Sequence, residues 1–326
     1  MRALALAIAT LFPVAQSGAT TEAPHMPRAT AAGRPAAVPG RLDFGIAFDG
    51  VVSRLDTISR SVMPGESLNV AIETTDGVPA TLVRGQAEPL GAGRWRVRAP
   101  ARPGTASLVW RHGEQTMTLH LLVMRPLAET VAGRLNGYRI GHYEHEPLHG
   151  LQVYEPPRGL VEVTRDMADL RVSPNFRLGD FLCKQAGGFP KYLLLRTRLL
   201  LKLEYLLARA RAAGLARESF TVMSGYRTPF YNRAIGNTTN YSRHLYGGAV
   251  DVYVDESPRD GVMDDLNGDG RVDTRDAGVL YRLIDGQAGD PTYAPYVGGL
   301  ARYPATRAHG PFVHLDARGY LARWGH

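Results

Sequence analysis

Two patterns of apolar and polar positions follow one another along the chain. From residue 41 to about residue 126, short runs alternate apolar and polar positions, and turn pairs such as Pro64-Gly65 and Asp76-Gly77 separate them. An alternation with a period of two is typical of half-buried strands. Short strands at regular intervals favour a small all-β sandwich. We predict strands within 68–75, 81–85, 94–100, 106–112 and 116–124.

Beyond residue 129 the pattern becomes mixed α/β. The most apolar stretch, 191–213, is interrupted by charged residues, which predicts a long helix with one apolar face rather than a membrane span. The expected fold class is α+β, with one domain at 129–326 and an all-β domain at 41–128. Segment 94–110 resembles the late strands of immunoglobulin-like accessory domains in bacterial exported proteins. Strand-like runs of the second domain lie at 160–164, before a turn at Ser224-Gly225, at 249–254 and at 312–316.

The N-terminus has the pattern of a secretory signal peptide. Arg2 is followed by an apolar run from Ala3 to Val14 and then by the small residues Ser17 and Ala19. This run is too short to span a membrane, so we predict a signal peptide at 1–19 and no stable membrane insertion. Residues 20–40 are rich in Ala, Pro and Gly and are predicted to be a disordered linker. The protein is expected to be exported to the periplasm, the cell wall or the medium.

The net charge of +7 comes almost wholly from arginine. A basic exported protein is attracted to an anionic cell wall. The chain has no basic run with interleaved aromatic residues, which argues against nucleic acid as a partner. The lone cysteine, Cys183, cannot form an internal disulfide and is expected to be a small buried apolar residue.

The stretch 242-SRHLYGGAVD-251 carries the clearest candidate chemistry. Gly247 and Gly248 allow a tight turn before an apolar strand, so Asp251 lies among apolar neighbours. A carboxylate is costly to bury there without a partner. His244 precedes the turn and could fold back to face Asp251, and a zinc ion would satisfy both side chains.

A catalytic zinc site needs a third protein ligand, and segment 312-FVHLD-316 offers one. Alternation along a strand puts His314 and Asp316 on one face and apolar residues on the other. The alternative is that His244, Asp251 and His314 are unrelated and only hydrogen-bonded. A second histidine group lacks a regular ligand spacing and is not favoured as a metal site; it consists of His142, His145 and His149.

Three separated motifs, in this order, resemble those of the zinc D-alanyl-D-alanine peptidases, which belong to the peptidoglycan metallopeptidases with the hedgehog-type fold. They are 224-SGYRTPFYN-232, the SxHxxGxAxD pattern of 242–251, and the strand-borne HxD of 314–316. The resemblance covers roughly residues 173–324. It implies a zinc domain with an antiparallel sheet and peptidoglycan stem peptides as the substrate.

The resemblance also implies roles for single residues. Arg227 is expected to stabilise the oxyanion formed when water attacks the amide, because a fixed bidentate cation suits developing negative charge. A structural ion pair is the alternative for this arginine. Ser242 and Tyr226 are expected to contact the substrate. The zinc ligands that the resemblance implies are His244, Asp251 and His314.

One position departs from the pattern of this family. Many members carry Glu or Asp as the general base three residues before the last histidine, where this chain has Pro311. Asp316 is the nearest remaining carboxylate in sequence and is our candidate for the base. His309 matches a histidine that several relatives keep near the zinc, and it is expected to assist the substrate or the transition state.

Segment 265-DLNGDGRVDTRD-276 has the spacing of a twelve-residue calcium loop and resembles the dockerin version of the EF-hand. Gly270 stands at the sharp turn, and 277–284 is expected to be the exit helix. Only one loop is present, so docking of the cohesin type is not expected. We predict a structural Ca²⁺ site inserted in the zinc domain. Its predicted ligands are Asp265, Asn267, Asp269, the carbonyl of Arg271, Asp273 and Asp276.

Three functions are compatible with these patterns. The leading one is an exported zinc metallopeptidase, of the D,D-carboxypeptidase or D,D-endopeptidase type, that cuts stem peptides or crosslinks of peptidoglycan. The alternative is a catalytically weak or inactive protein that binds zinc, calcium and the cell wall. A weaker third is a calcium-dependent adhesion module based on the β-sandwich. The patterns do not indicate an oligomeric state.

Overall fold

Residues 41–325 are described by a computed structural model, and the predicted signal peptide and linker lie outside the described residues. The alternating segment forms nine strands. They are β1 Arg41–Phe48, β2 Val51–Leu55, β3 Thr57–Val62, β4 Ser67–Glu73, β5 Thr81–Arg84, β6 Glu88–Gly91, β7 Arg94–Arg98, β8 Gly104–His112 and β9 Gln115–Val123. All five strands predicted in this region are confirmed within a few residues at their ends.

These nine strands form two sheets. One has the order β2-β1-β4-β7-β6 and the other β3-β9-β8-β5, in which β3 and β9 run parallel. Alternate residues such as Leu68, Val70, Trp110 and Leu119 are buried, which explains why the period of two identified their strands. The immunoglobulin-like assignment of this pair of sheets stays a prediction.

The remaining residues form short strands and three helices, a mixed α+β architecture compatible with the predicted peptidase-type domain. Among the described residues, no helix has the length and apolar character needed to cross a membrane. The elements are β10 Arg125–Pro126, β11 Arg134–Leu135, β12 Tyr138–Arg139, β13 Gly159–Val163, β14 Arg171–Ser173, β15 Phe176–Arg177, β16 Lys191–Leu193, α1 Thr197–Ala212, β17 Thr221–Ser224, α2 Pro229–Ala234, β18 Ala249–Tyr253, α3 Thr274–Asp285, β19 Gly299–Tyr303, β20 Phe312–Asp316 and β21 Ala322–Trp324.

The predicted helix at 191–213 is wrong at its beginning. Residues 191–193 form a strand that pairs with β13, and the helix begins at Thr197. Tyr192 and Leu193 are both fully buried although they point to opposite faces of the strand. A strand buried on both faces has a continuous apolar run, which cannot be told from a buried helix by its periodicity.

A five-stranded sheet, β17-β18-β20-β19-β21, carries the chemistry-bearing motifs. Strands β18 and β20 are antiparallel neighbours, and their register places Asp251 opposite His314. One face of β20 is apolar, because Val313 and Leu315 are fully buried in the hydrophobic core. Helix α3 packs against β19 and β20 and also contacts α1. The other face presents His314 and Asp316, as the alternation predicted.

Strand β3 of the N-terminal sheets is hydrogen-bonded to the segment that begins α1. Ser61 Oγ donates to the carbonyl of Leu195 at 3.0 Å, and Thr197 Oγ1 donates to the carbonyl of Ser59 at 2.8 Å, both at buried positions. The two regions share one hydrophobic core cluster and belong to one compact unit. The predicted division into domains at residues 128 and 129 stays a prediction.

Candidate metal centre

Three side chains converge at the junction of β18 and β20. His244, Asp251 and His314 each offer one ligand atom, and these atoms lie within 4.8 Å of one another. His314 Nδ1 is 2.8 Å from Asp251 Oδ1, and His244 Nε2 is 3.1 Å from His314 Nδ1 and 3.3 Å from Asp251 Oδ1. Within residues 41–325 no other group of three or more His, Cys, Asp or Glu side chains meets this criterion.

The local backbone brings His244 to the two strands. His244 lies in a 3-10 turn, Arg243–Tyr246, that ends at Gly247 in the left-handed conformation with φ of 63°. A Cβ atom at Gly247 would lie 2.3 Å from the carbonyl oxygen of Leu194, so this position accepts only glycine. The turn reverses the chain, and His244 therefore faces Asp251 as the sequence predicted.

In each of the two histidines, the ring nitrogen that faces away from the cluster (the outer nitrogen) has its own acceptor. His244 Nδ1 donates to the carbonyl of Gly225 at 2.6 Å, and His314 Nε2 lies 3.4 Å from Asp316 Oδ2. The contact with Gly225 leaves a lone pair on His244 Nε2. His314 Nδ1, which donates to Asp251 Oδ1, would release that proton to an ion that binds there. Histidines that bind metals usually have such an acceptor on the other nitrogen.

The donor set and its spacing fit Zn²⁺. Zinc binds imidazole nitrogen and carboxylate oxygen at about 2.0–2.1 Å in a tetrahedral arrangement, so two ligand atoms are about 3.3 Å apart. The three distances in the cluster, 2.8, 3.1 and 3.3 Å, are close to this value. Burial lowers the pKa of His244, which favours the neutral imidazole that a metal requires.

Asp316 is fully buried and surrounded by donors. The Nε of Arg318 is 2.9 Å from Oδ1, its Nη2 is 2.6 Å from Oδ2, and the backbone N–H of Gly299 donates to Oδ1 at 2.9 Å. Burial alone would raise the pKa of this carboxyl, but the hydrogen bonds from His314 and Arg318 hold it well below its usual range. A carboxylate with so low a pKa is a poor proton acceptor near neutral pH. Its contacts are those of a group that orients His314.

Arg227 contacts the metal cluster directly. Its Nη2 donates to Asp251 Oδ2, and its Nε donates to Ser224 Oγ at 2.8 Å. The guanidinium therefore holds the carboxylate oxygen that does not face the two histidines. The predicted contact of Arg227 with an oxyanion stays a prediction, and so does the alternative of a structural ion pair.

The other predicted catalytic and substrate residues lie outside the cluster. His309 Nδ1 is 2.8 Å from the carbonyl of Gly310, and its ring contacts that of Phe312 edge to face. Tyr226 is buried, and its hydroxyl lies 2.6 Å from that of Tyr143. Ser242 is half-buried and precedes the turn that carries His244. Their predicted roles stay predictions.

The carboxylates of the predicted calcium loop form hydrogen bonds and ion pairs within the loop. Asp265 accepts backbone N–H groups from Gly268, Asp269 and Gly270, and Asp276 accepts those of Asn267 and Asp273. The exit helix predicted at 277–284 is confirmed and begins earlier, at Thr274. The Ca²⁺ site itself stays a prediction. Cys183 is buried, as expected.

Sequence analysis missed several residues that contact the cluster or its partners. Arg318 clamps Asp316, Trp324 packs with its ring centroid 5.1 Å from that of His314, and Tyr143 donates to the carbonyl of Leu245 at 3.2 Å. Lys202 donates to the carbonyl of Asp316. Only Lys202 left a signal in the sequence, because it interrupts a row of leucines at helical spacing.

Comparison with known proteins matches part of this region. Residues 199–274 match the model of a family described as Peptidase M15. No curated protein and no solved structure gives a significant match to the chain. The matched segment contains His244, Asp251 and Arg227, whereas His314 lies beyond it and is brought to the cluster by the pairing of β18 with β20. The match supports the resemblance to zinc D-alanyl-D-alanine peptidases that the motifs indicated.

Proposed function

We propose that this protein is an exported zinc metallopeptidase that hydrolyses peptide bonds in the stem peptides or crosslinks of bacterial peptidoglycan. The observation that carries the proposal is the buried His244–Asp251–His314 cluster, two members of which lie in the segment similar to Peptidase M15. Each imidazole in this cluster has an outer acceptor, which a pair of merely hydrogen-bonded histidines does not require.

The chain supplies the ligands and holds them in place. His244 Nε2, Asp251 Oδ1 and His314 Nδ1 would bind the ion, and Zn²⁺ bound there would lower the pKa of water and polarise the scissile carbonyl. Gly225 and Asp316 orient the two imidazoles, while Arg227 holds the second oxygen of Asp251. We assign Asp316 this positioning role instead of the role of general base, since Arg318 and Gly299 already occupy its oxygens.

Digestion of purified peptidoglycan tests the proposal. Zinc-loaded protein is expected to release new fragments that mass spectrometry detects, and their masses identify the bond that is cut. His244→Ala is expected to release none. The matched control is His142→Ala, which removes an exposed histidine that is not a member of the cluster and should leave the digestion unchanged. Absence of fragments from wild-type protein with one zinc bound would favour the cell-wall binding protein, with Pro311 as the reason for inactivity.

Export is part of the same proposal and rests on the sequence of residues 1–19. N-terminal sequencing of the protein secreted by a bacterial host is expected to show cleavage after Ala19. An uncleaved protein that stays in the cytoplasmic fraction would contradict export and leave the metal centre unaffected.

A further inference from the structure

Lys202 is a charged residue in a fully buried position. It lies on α1 between leucines that face the core, and its relative exposure is 0%. Burying an ammonium group is costly unless it is paired, so an apolar residue would pack there at a lower cost. Its presence at this point of the helix therefore requires a specific contact.

The ammonium of Lys202 reaches the strand that carries His314. Its Nζ donates to the backbone carbonyl of Asp316 at 2.6 Å, and it lies 5.3 Å from the centre of the Tyr293 ring. Burial lowers the pKa of Lys202 to about 7, while the charge of Asp316 opposes this shift and those of Arg323 and Arg318 add to it. The contact is made to the main chain rather than to a carboxylate, so it fixes a backbone position.

Two glycines also lie close to Asp316. A Cβ atom at Gly298 would lie 1.9 Å from the carbonyl oxygen of Asp316, and one at Gly299 would lie 2.2 Å from its Oδ2. The two glycines therefore allow the chain to approach Asp316 more closely than any other residue would. Lys202, Arg318 and this glycine pair surround Asp316, whose carboxylate in turn faces the Nε2 of His314.

We propose that Lys202 is a positioning residue of the metal centre, which fixes the end of β20 so that Asp316 holds His314 in the orientation that binds the ion. The inference rests on the metal centre of the proposed function. A lysine with only a structural role would lead to a different result. Replacing a buried charge by an apolar residue of similar volume often leaves the stability of the fold unchanged or raises it. Such a replacement would then leave the affinity for metal unchanged.

The test compares Lys202→Met with wild-type protein in metal binding rather than in activity. The zinc dissociation constant, measured by competition with a chromophoric chelator, is expected to rise by up to about tenfold. This is the lower end of the effect of removing a direct outer partner of a metal ligand, because Lys202 acts through Asp316. The visible absorption of the Co²⁺-substituted protein is expected to change as well, because this spectrum reports the geometry of the ligands. Equal affinity and equal Co²⁺ spectra would overturn the proposal.

Glu204→Gln is the matched control. Glu204 lies on the same helix and is also buried, but it accepts hydrogen bonds from Ser173 and Asn175 rather than contacting the central sheet. This variant is expected to change stability and to leave the zinc affinity and the Co²⁺ spectrum as in wild-type protein. If both variants weaken zinc binding equally, the effect is one of general packing in α1 and the proposal is wrong.

Tyr293→Leu serves if Lys202→Met does not fold. Loss of the aromatic ring removes a favourable contact of the buried ammonium, so zinc binding should weaken in the same direction. An unchanged affinity in this variant would overturn the positioning role. If wild-type protein binds no zinc, the proposed function itself is wrong. If wild type and variant bind zinc equally, only the positioning role of Lys202 is wrong.

Discussion

The metal cluster and the acidic loop 265–276 were both predicted from the spacing of potential ligands, yet their side chains are arranged very differently. In the cluster, ligand atoms of three buried residues from two strands and a turn lie within 4.8 Å. In the loop, Asp265 and Asp276 accept backbone N–H groups of the loop itself. Asp269 and Asp273 form ion pairs with Arg275.

The difference lies in what determines the ligand positions. In the cluster, the register of β18 and β20 and the outer acceptors of the histidines hold the ligand atoms together. In the loop, the carboxylates accept hydrogen bonds from the loop backbone, and an ion has to compete with Arg275 for Asp269 and Asp273. A preorganised site loses less free energy on binding than one whose ligands must exchange partners. The cluster is therefore expected to bind its ion more tightly than the loop.

Removal of one ligand of the cluster gives the largest expected effect. His314→Ala leaves two ligands. Its zinc affinity should fall by more than about a hundredfold, the upper end of the loss caused by removing a hydrogen-bond partner of a metal ligand. Equilibrium dialysis followed by metal analysis measures the zinc bound per chain. His149→Ala, which removes an exposed histidine, is the control and should keep the wild-type stoichiometry. Full zinc binding by His314→Ala would show that the ion lies elsewhere in the chain.

Asp316→Asn tests the partners around the cluster. The substitution leaves the guanidinium of Arg318 without its counter-charge, and breaking a buried pair typically costs about 3–5 kcal/mol. We expect the free energy of unfolding, measured with urea, to fall by about this amount, together with a weaker affinity for zinc. Asp169→Asn breaks an exposed pair with Arg177 and should cost at most about 1 kcal/mol. Similar losses of unfolding free energy in the two variants would contradict the stabilising role of the buried pair between Asp316 and Arg318.

Strands β17, β18 and β20 of the central sheet could be predicted because local pattern and tertiary burial agree there. Alternation placed His314 and Asp316 on one face of β20, and the glycine pair before β18 placed His244 opposite Asp251. Each of these conclusions needs only the geometry of a single strand or turn. The structure then adds the register between the two strands, which sequence spacing does not contain.

Other features depend on contacts between distant segments and could not be predicted in this way. Residues 191–193 are a strand because β13 pairs with them, although their apolar run also suits a helix. Lys202 is buried where the carbonyl of Asp316 accepts a hydrogen bond from its Nζ, and the sequence near either residue does not indicate this contact. Arg318 lies two residues after the HxD motif. Its contact with Asp316 matters because that carboxylate is buried, and the sequence does not indicate this burial.

The acidic loop should respond to calcium with a smaller effect. We propose that Ca²⁺ binds at 265–276 and raises the melting temperature of the protein by a few degrees, since an ion that binds only the folded state stabilises it. Scanning calorimetry with millimolar Ca²⁺ and with chelator measures the shift. Asp265→Ala removes the predicted first ligand and should abolish it. Equal melting curves of wild-type protein in the two buffers would contradict the calcium site.

Arg275→Met should give the smallest effect and distinguishes the loop from the cluster most directly. The guanidinium of Arg275 lies 2.9 Å from Asp269 Oδ2 and 2.8 Å from Asp273 Oδ2, and it therefore competes with an ion for two predicted ligands. Exposed ion pairs contribute little, so removing the two pairs of Arg275 should tighten calcium binding by only a few-fold. Isothermal titration calorimetry measures this change, and Arg282→Met on the same helix is the control. Weaker calcium binding in Arg275→Met would mean that the arginine holds the loop in its binding conformation, as the outer partners do for the cluster.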